Sequence, residues 1–100
     1  MAANIATLIT IYATSKRMLK RAMLLIEGDD CLVDDKILLC KYIAGLSLVN
    51  QSIKEYSTLT LKSSNKKELN YLYNIIKDAV ELSGELEAQI QNRNISLDLH

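Results

Sequence analysis

The chain has no proline, no tryptophan and no phenylalanine, and only three glycines among its 100 residues. A sandwich or barrel of short β-strands depends on turn residues and aromatic side chains, so this composition argues against an all-β fold. Hydrophobic residues make up 49% and charged residues 24%, which is typical of a folded globular chain rather than a disordered one. The length suits one hydrophobic core. We therefore predict a single all-α domain over residues 1–100.

Histidine is nearly as scarce, because the only one is His100. The sequence contains no glycine-rich phosphate loop, no HExxH and no GxSxG motif, and the acidic segment GDDCLVDDK lacks the ligand pattern of a calcium loop. Asp78, Glu81 and Glu85 are expected to form a solvated side of a helix rather than a catalytic pair. We therefore predict no enzymatic activity, no cofactor and no metal site.

Excess charge of either sign is also missing, because 12 basic residues balance 12 acidic ones. Without a strongly positive field, nucleic acid is not an expected partner. Two cysteines, Cys31 and Cys40, fit neither a zinc site nor a CxxC redox motif. If one helix carries both, they stand about 13 Å apart, whereas the Cα atoms of a disulfide lie within about 7 Å. We predict reduced structural thiols and, by default, a cytoplasmic location.

The first fifteen residues carry no charge and are followed by the basic segment KRMLKR. A secretory signal places its basic residues before the apolar stretch, which is the reverse order. A membrane-spanning helix needs about 20 apolar residues, and this stretch is shorter and contains Asn4, Thr7, Thr10 and Thr14. Membrane insertion is therefore not favoured. A peripheral contact remains an alternative, in which the uncharged segment inserts and KRMLKR meets anionic lipid.

Hydrophobic periodicity predicts three helices, at about residues 3–26, 31–56 and 65–92, followed by a short tail over 93–100. The apolar side of the first helix is formed by Ile5, Leu8, Ile9, Tyr12, Leu19, Met23 and Ile26, widened by Ile11, Met18 and Ala22. In the third helix a seven-residue repeat runs through Leu69, Leu72, Ile76, Ala79, Ser83, Leu86 and Ile90. Both patterns indicate helices of a globular bundle.

The connections are predicted from turn and capping residues. Gly28 is expected to close the first helix, and Asp30, Asp34 and Asp35 to lie near the start of the second, where the helix dipole favours negative charge. Residues 57–64, rich in serine and threonine, are predicted to form the longest connection, and Asn65 with Glu68 a capping box. The tail is expected to be frayed, with pairing to the linker as the alternative.

The second helix is the most informative part of the sequence, because its segment ILLCKYIAGLSLV is apolar on nearly every side. Such a helix must be covered on more than one side. One flank consists of Leu38, Tyr42, Leu46 and Val49, and another of Ile37, Ala44 and Leu48. Gly45 would let another backbone approach closely. We predict a small antiparallel bundle of three helices, completed by dimerisation, in which these residues contact a partner.

Four basic residues of the first helix, Lys16, Arg17, Lys20 and Arg21, are clustered on the side opposite its apolar residues. A solvated face and a docking patch are both compatible with this pattern. With no catalytic constellation, the leading functional prediction is a non-enzymatic interaction module, acting as an adaptor, a chaperone-like protein or an inhibitory regulator. Its partner is a second copy of the chain, another protein, or both. The peripheral membrane protein is the alternative.

Overall fold

The computed structural model describes residues 5–28, 31–62, 66–95 and 97 of the chain. It contains three helices, α1 (Ile5–Glu27), α2 (Val33–Lys62) and α3 (Lys66–Asn92). No strand occurs among the described residues. The prediction of an all-α chain with three main helices is therefore confirmed. The predicted capping residues Asp30 and Asn65 lie outside the described part of the chain.

Helix α2 is longer than its sequence pattern predicts. The expected end at Tyr56 is wrong, because the helix continues to Lys62 through most of the serine- and threonine-rich segment. Such residues lower helix stability when their hydroxyl groups compete for backbone hydrogen bonds. Here the Thr60 hydroxyl donates within the helix to the Tyr56 carbonyl oxygen at 2.8 Å. Tyr56 is buried and Leu59 half-buried, so packing favours the helical extension despite this composition.

Helix α2 occupies the middle of the fold. It packs along both α1 and α3, whereas no Cα atom of α1 lies within 8 Å of one in α3. Two contacts show that the outer helices meet different sides of α2. Ser15 of α1 reaches Asn50, and Ser83 of α3 lies against Gly45. Asn50 and Gly45 are about 140° apart around the axis of α2, at 3.6 residues per turn. Neither outer helix therefore covers the outward side of the other.

The core consists of two clusters along the length of α2, each with residues from all three helices. The first joins Ala22, Leu39, Tyr42, Leu46, Leu86, Ile90 and Leu97. The second joins Leu8, Val49, Ile53, Tyr56, Ile76 and Ala79. Five residues of the predicted seven-residue repeat of α3, from Ile76 to Ile90, are buried. The Cα atoms span 48 × 21 × 16 Å, as expected when long helices lie side by side.

The end of α3 is fixed by a Schellman motif. Asn94 has a φ of 61°, in the left-handed region, and its N–H donates to the Gln91 carbonyl at 3.0 Å. The Ile95 N–H donates to the Ile90 carbonyl at 3.3 Å. This pair of bonds satisfies carbonyls that the helix itself leaves unpaired. The chain then turns back, and Leu97 is buried in the core. The prediction of a frayed tail is wrong for these residues.

Candidate interaction surface

Most of the predicted partner-binding flank of α2 is covered from within the chain. Tyr42, Gly45, Leu46 and Val49 are buried, and Leu38 is half-buried against the core. Their cover comes from α1, α3 and Leu97 of the same chain. These residues therefore offer little surface to a partner, which corrects the predicted position of the contact. The pattern alone did not reveal this, because an apolar helix shows how many sides need cover but not which element supplies it.

Gly45 permits a close approach inside the chain rather than between chains. A Cβ atom added at this glycine would lie 2.8 Å from the Ser83 hydroxyl oxygen of α3, which is closer than ordinary van der Waals contact. The Ser83 hydroxyl is buried and makes no hydrogen bond. Glycine at position 45 and serine at 83 thus let α2 and α3 pack closely. The small residues in both sequence patterns were the signal for this contact.

The other apolar flank of α2 is open. Ile37 is 52% exposed and Leu48 47% exposed, and Ala44 between them is also exposed. Cys40 adds a free, exposed thiol near this flank, so its predicted structural role is not observed. Cys31 is also free and half-buried. Of the two flanks predicted to need external cover, only this one remains available to a partner.

Helix α1 is oriented differently from the expectation. Its buried residues are Leu8, Ser15 and Ala22, spaced seven apart. The Ser15 hydroxyl is within hydrogen-bonding reach of the Asn50 side-chain oxygen and lies 3.0 Å from the Tyr12 carbonyl oxygen. A polar residue thus occupies the middle of the core line, which is why hydrophobic periodicity missed it. The helix is rotated so that one edge of its wide apolar side faces α2 and the other edge faces outward.

The outward edge of α1 forms a stripe of exposed and half-buried side chains at spacings of three and four residues. We call it the α1 stripe, and it consists of Ile5, Ile9, Tyr12, Lys16, Leu19 and Met23. Ile9 is 62% exposed and Ile5 59%. The Lys16 ammonium lies 5.2 Å from the centroid of the Tyr12 ring, a cation–π contact that holds the charge beside the apolar residues. A contiguous apolar stripe on a small protein often marks a contact site.

One residue of the predicted basic cluster, Lys16, belongs to this stripe, and the other three lie beside it. Lys16, Arg17 and Lys20 are exposed, and Arg21 is half-buried. A shallow groove lined by Lys16, Lys20, Leu19, Met23, Leu24 and Glu27 brings two of these charges next to apolar side chains. The Nε atom of Arg21 is buried and has no hydrogen-bond partner. The structure therefore separates the cluster into three accessible charges and one that is partly enclosed.

Helix α3 carries a corresponding stripe with the opposite charge. We call it the α3 stripe, and it consists of Tyr71, Ile75, Asp78, Leu82, Glu85 and Gln89. Leu82 is 48% exposed and Tyr71 68%. Glu81, next to this stripe, is exposed as well. The sequence pattern predicts a solvated acidic side and does not connect it with the apolar residues between the charges.

One buried group has an altered acidity. Burial raises the pKa of Tyr42 to about 12, and the negative charge of Glu87 acts in the same direction. Both effects disfavour the phenolate. Tyr42 lies in the core rather than in a cleft, so its neutral form is part of the folded state. No group of three or more potential metal ligands occurs among the described residues.

No protein-family model, curated protein or solved structure matches this chain. Among the described residues, no helix has both the length and the apolar character needed to cross a bilayer.

Proposed function

We propose that this chain is a non-enzymatic interaction module that acts through its helical surfaces as an adaptor, a chaperone-like protein or an inhibitory regulator. The observation that supports this most directly is the α1 stripe. Ile5, Ile9 and Met23 of this stripe are exposed, although the chain covers both core clusters by itself. Exposed apolar residues that the fold does not need are typical of surfaces that bind other proteins.

We further propose that the three helices form an antiparallel bundle that self-associates as a homodimer. The order of contacts supports the antiparallel arrangement. Leu8, early in α1, clusters with Val49 and Ile53, while Ala22, late in α1, clusters with Leu39. Along α2 and α3 the order is again reversed, because Asp35 pairs with Arg93 and Gly45 meets Ser83. Two-fold homodimers are the commonest closed assemblies, and a second copy is the simplest source of cover.

The cytoplasm is the proposed location. Its support is the pair of cysteines, which are free in the structure, as expected in a reducing compartment.

Substitution of Ile9 by glutamine tests the role of the α1 stripe. Ile9→Gln removes apolar surface from the stripe, and glutamine favours a helix slightly more than isoleucine does, so the fold should persist. We expect at least about a tenfold rise in the dissociation constant of the dimer, since loss of about 1.4 kcal/mol of apolar burial has that effect. Sedimentation velocity over a dilution series measures it.

The matched control is Thr10→Gln, on the neighbouring exposed position of the same helix and outside the stripe. Thr10 makes only a local bond from its hydroxyl to the Ala6 carbonyl, at 3.0 Å. Equal effects of the two substitutions would show that the stripe has no special role. An unchanged dissociation constant for Ile9→Gln would have the same meaning.

A peripheral membrane protein is the second candidate. Exposed Ile5 and Ile9 are followed on the same helix by exposed Lys16, Arg17 and Lys20. An amphipathic helix with this order of apolar and basic residues suits an anionic lipid surface. Flotation of the native chain with anionic vesicles, but not with neutral ones, would support this candidate against the interaction module.

A further inference from the structure

The outer helices carry opposite charges that the chain does not neutralise internally. Lys16 and Lys20 on α1 and Asp78 and Glu85 on α3 are all exposed. An ion pair joins Arg93 to Asp35, near the start of α2 and the end of α3, and involves none of these four charges. Since α1 and α3 pack on different sides of α2, with no close approach of their backbones, each set of charges faces outward. Each is therefore available to something outside the chain.

These two sets of charges lie at the same height along the bundle. Ser15 of α1 meets Asn50 of α2, and Gly45 of α2 meets Ser83 of α3. Asn50 lies five residues after Gly45, so in the antiparallel arrangement it is level with the residue five before Ser83, which is Asp78. Ser15 and Asp78 are therefore level with each other. Lys16 lies within one residue of that height, a rise of about 1.5 Å.

The order of residues along the two stripes matches at this height. Reading from the same end of the bundle, the α1 stripe runs through Ile9, Tyr12, Lys16 and Leu19, and the α3 stripe runs through Tyr71, Ile75, Asp78 and Leu82. In both, two apolar residues are followed by one charge and then by another apolar residue. The spacings also agree to within one residue. The stripes are thus complementary in charge and similar in apolar pattern.

We propose that a second copy of this chain covers the α1 stripe with its α3 stripe. In this contact Tyr12 meets Ile75, Leu19 meets Leu82, and Lys16 meets Asp78 across the interface. A symmetry axis parallel to the helices keeps equal heights together, so the register follows from the fold. The proposal rests on the proposed self-association and specifies which helices meet. Contact between two α1 stripes is disfavoured, because it brings Lys16 and Lys20 of both copies together.

Charge reversal provides a test that distinguishes this contact from others. Lys16→Glu should weaken self-association about tenfold, and Asp78→Lys should do the same, because each places like charges opposite each other. A mixture of the two variants should associate with a dissociation constant close to that of the wild type, since position 16 of the Lys16→Glu variant then faces the opposite charge at position 78 of the Asp78→Lys variant. A single chain carrying both substitutions should also recover. Sedimentation velocity measures all four, and circular dichroism checks that each variant is folded.

The matched controls are Arg17→Glu and Lys77→Glu. Arg17→Glu changes the net charge of α1 by the same amount as Lys16→Glu, and Lys77→Glu changes that of α3 by the same magnitude as Asp78→Lys but with the opposite sign. Both positions are exposed and lie outside the stripes. Their self-association should stay within about twofold of wild type at moderate salt.

Several results would overturn the proposal, and they are distinguishable. If the wild-type chain self-associates and Asp78→Lys leaves the dissociation constant unchanged, the α3 stripe is not the surface that contacts the α1 stripe. The chain then still forms a dimer, but through a different contact. If Lys16→Glu and Asp78→Lys each weaken association but their mixture does not recover, the two residues do not face each other. A wild-type chain that stays monomeric removes both this contact and the proposed dimer. Binding of the monomer to anionic vesicles, lost in Lys16→Glu, would assign the α1 stripe to lipid instead.

Discussion

Tyr42 lies in the centre of the first core cluster, where its phenol is nearly inaccessible to water. Burial, reinforced by Glu87, raises its pKa to about 12, above the value of about 10 that is usual for tyrosine. The folded state therefore binds the phenolic proton more tightly than the unfolded state does. The stability that comes from this difference is fully present below pH 10 and is lost as the pH rises towards 12.

Replacement of Tyr42 by phenylalanine should reduce this pH dependence. Between pH 10 and pH 12 the free energy of unfolding should fall further for the wild type than for Tyr42→Phe. The expected difference is at most about 3 kcal/mol, since each pK unit corresponds to about 1.4 kcal/mol. Urea unfolding at a series of pH values measures this difference. Tyr71→Phe, on an exposed side chain, is the matched control. Equal pH profiles for the two variants would contradict the assignment to Tyr42.

Single residues also show where sequence reasoning reached its limit. The close contact at Gly45 was expected, but its neighbour is Ser83 of the same chain rather than a partner. Ser15 was not expected in the core, because a hydroxyl group carries no hydrophobic signal. Its burial depends on an oxygen of Asn50 that is 35 residues away in sequence. Such a pairing is decided by tertiary packing and is not visible in local periodicity.

At the scale of elements, the third helix was the most predictable. Its seven-residue repeat has a single strong apolar side, and the buried residues follow it. The first helix was harder, because its apolar side is wider than one neighbour can cover, and periodicity does not tell which edge is used. The second helix was predicted too short, since the composition of residues 57–62 resembles a loop while the burial of Tyr56 and the partial burial of Leu59 favour a helix.

The end of α3 provides a test of how an element is terminated. Asn94 adopts a left-handed conformation with a φ of 61°, which β-branched residues tolerate poorly. Asn94→Val should therefore lower the free energy of unfolding by about 1–2 kcal/mol. Asn94→Gly should leave it unchanged or raise it, because glycine adopts this conformation without strain. Chemical denaturation of both variants measures the effect.

The same test reports on the tail. Because the turn at Asn94 directs the chain back to the core, loss of the turn should also loosen Leu97, which is buried there. Faster hydrogen exchange around Ile95 in Asn94→Val, but not in Asn94→Gly, is the expected accompaniment. If both variants have the same stability, the Schellman motif does not determine where the tail lies.

At the scale of the whole molecule, the sequence predicted the fold class and the number of helices, and it indicated that the chain has more apolar surface than three helices bury. It predicted only part of the position of that surface, the flank of α2 that carries Ile37, Ala44 and Leu48. The expected flank around Tyr42 and Leu46 is covered by α1 and α3. The surplus is found on the outward sides of α1, α2 and α3 instead. The proposed contact between the α1 and α3 stripes depends on the relative heights of the two outer helices, which local periodicity does not give.

The most direct test of the proposed account is the mass of the wild-type chain in solution. Light scattering coupled to a sizing column, over a wide range of protein concentration, measures it without any substitution. We predict a species of twice the chain mass of 11.2 kDa that dissociates on dilution. A mass of 11.2 kDa at every concentration would contradict self-association through the outer helices, and the exposed stripes would then have to meet a different partner.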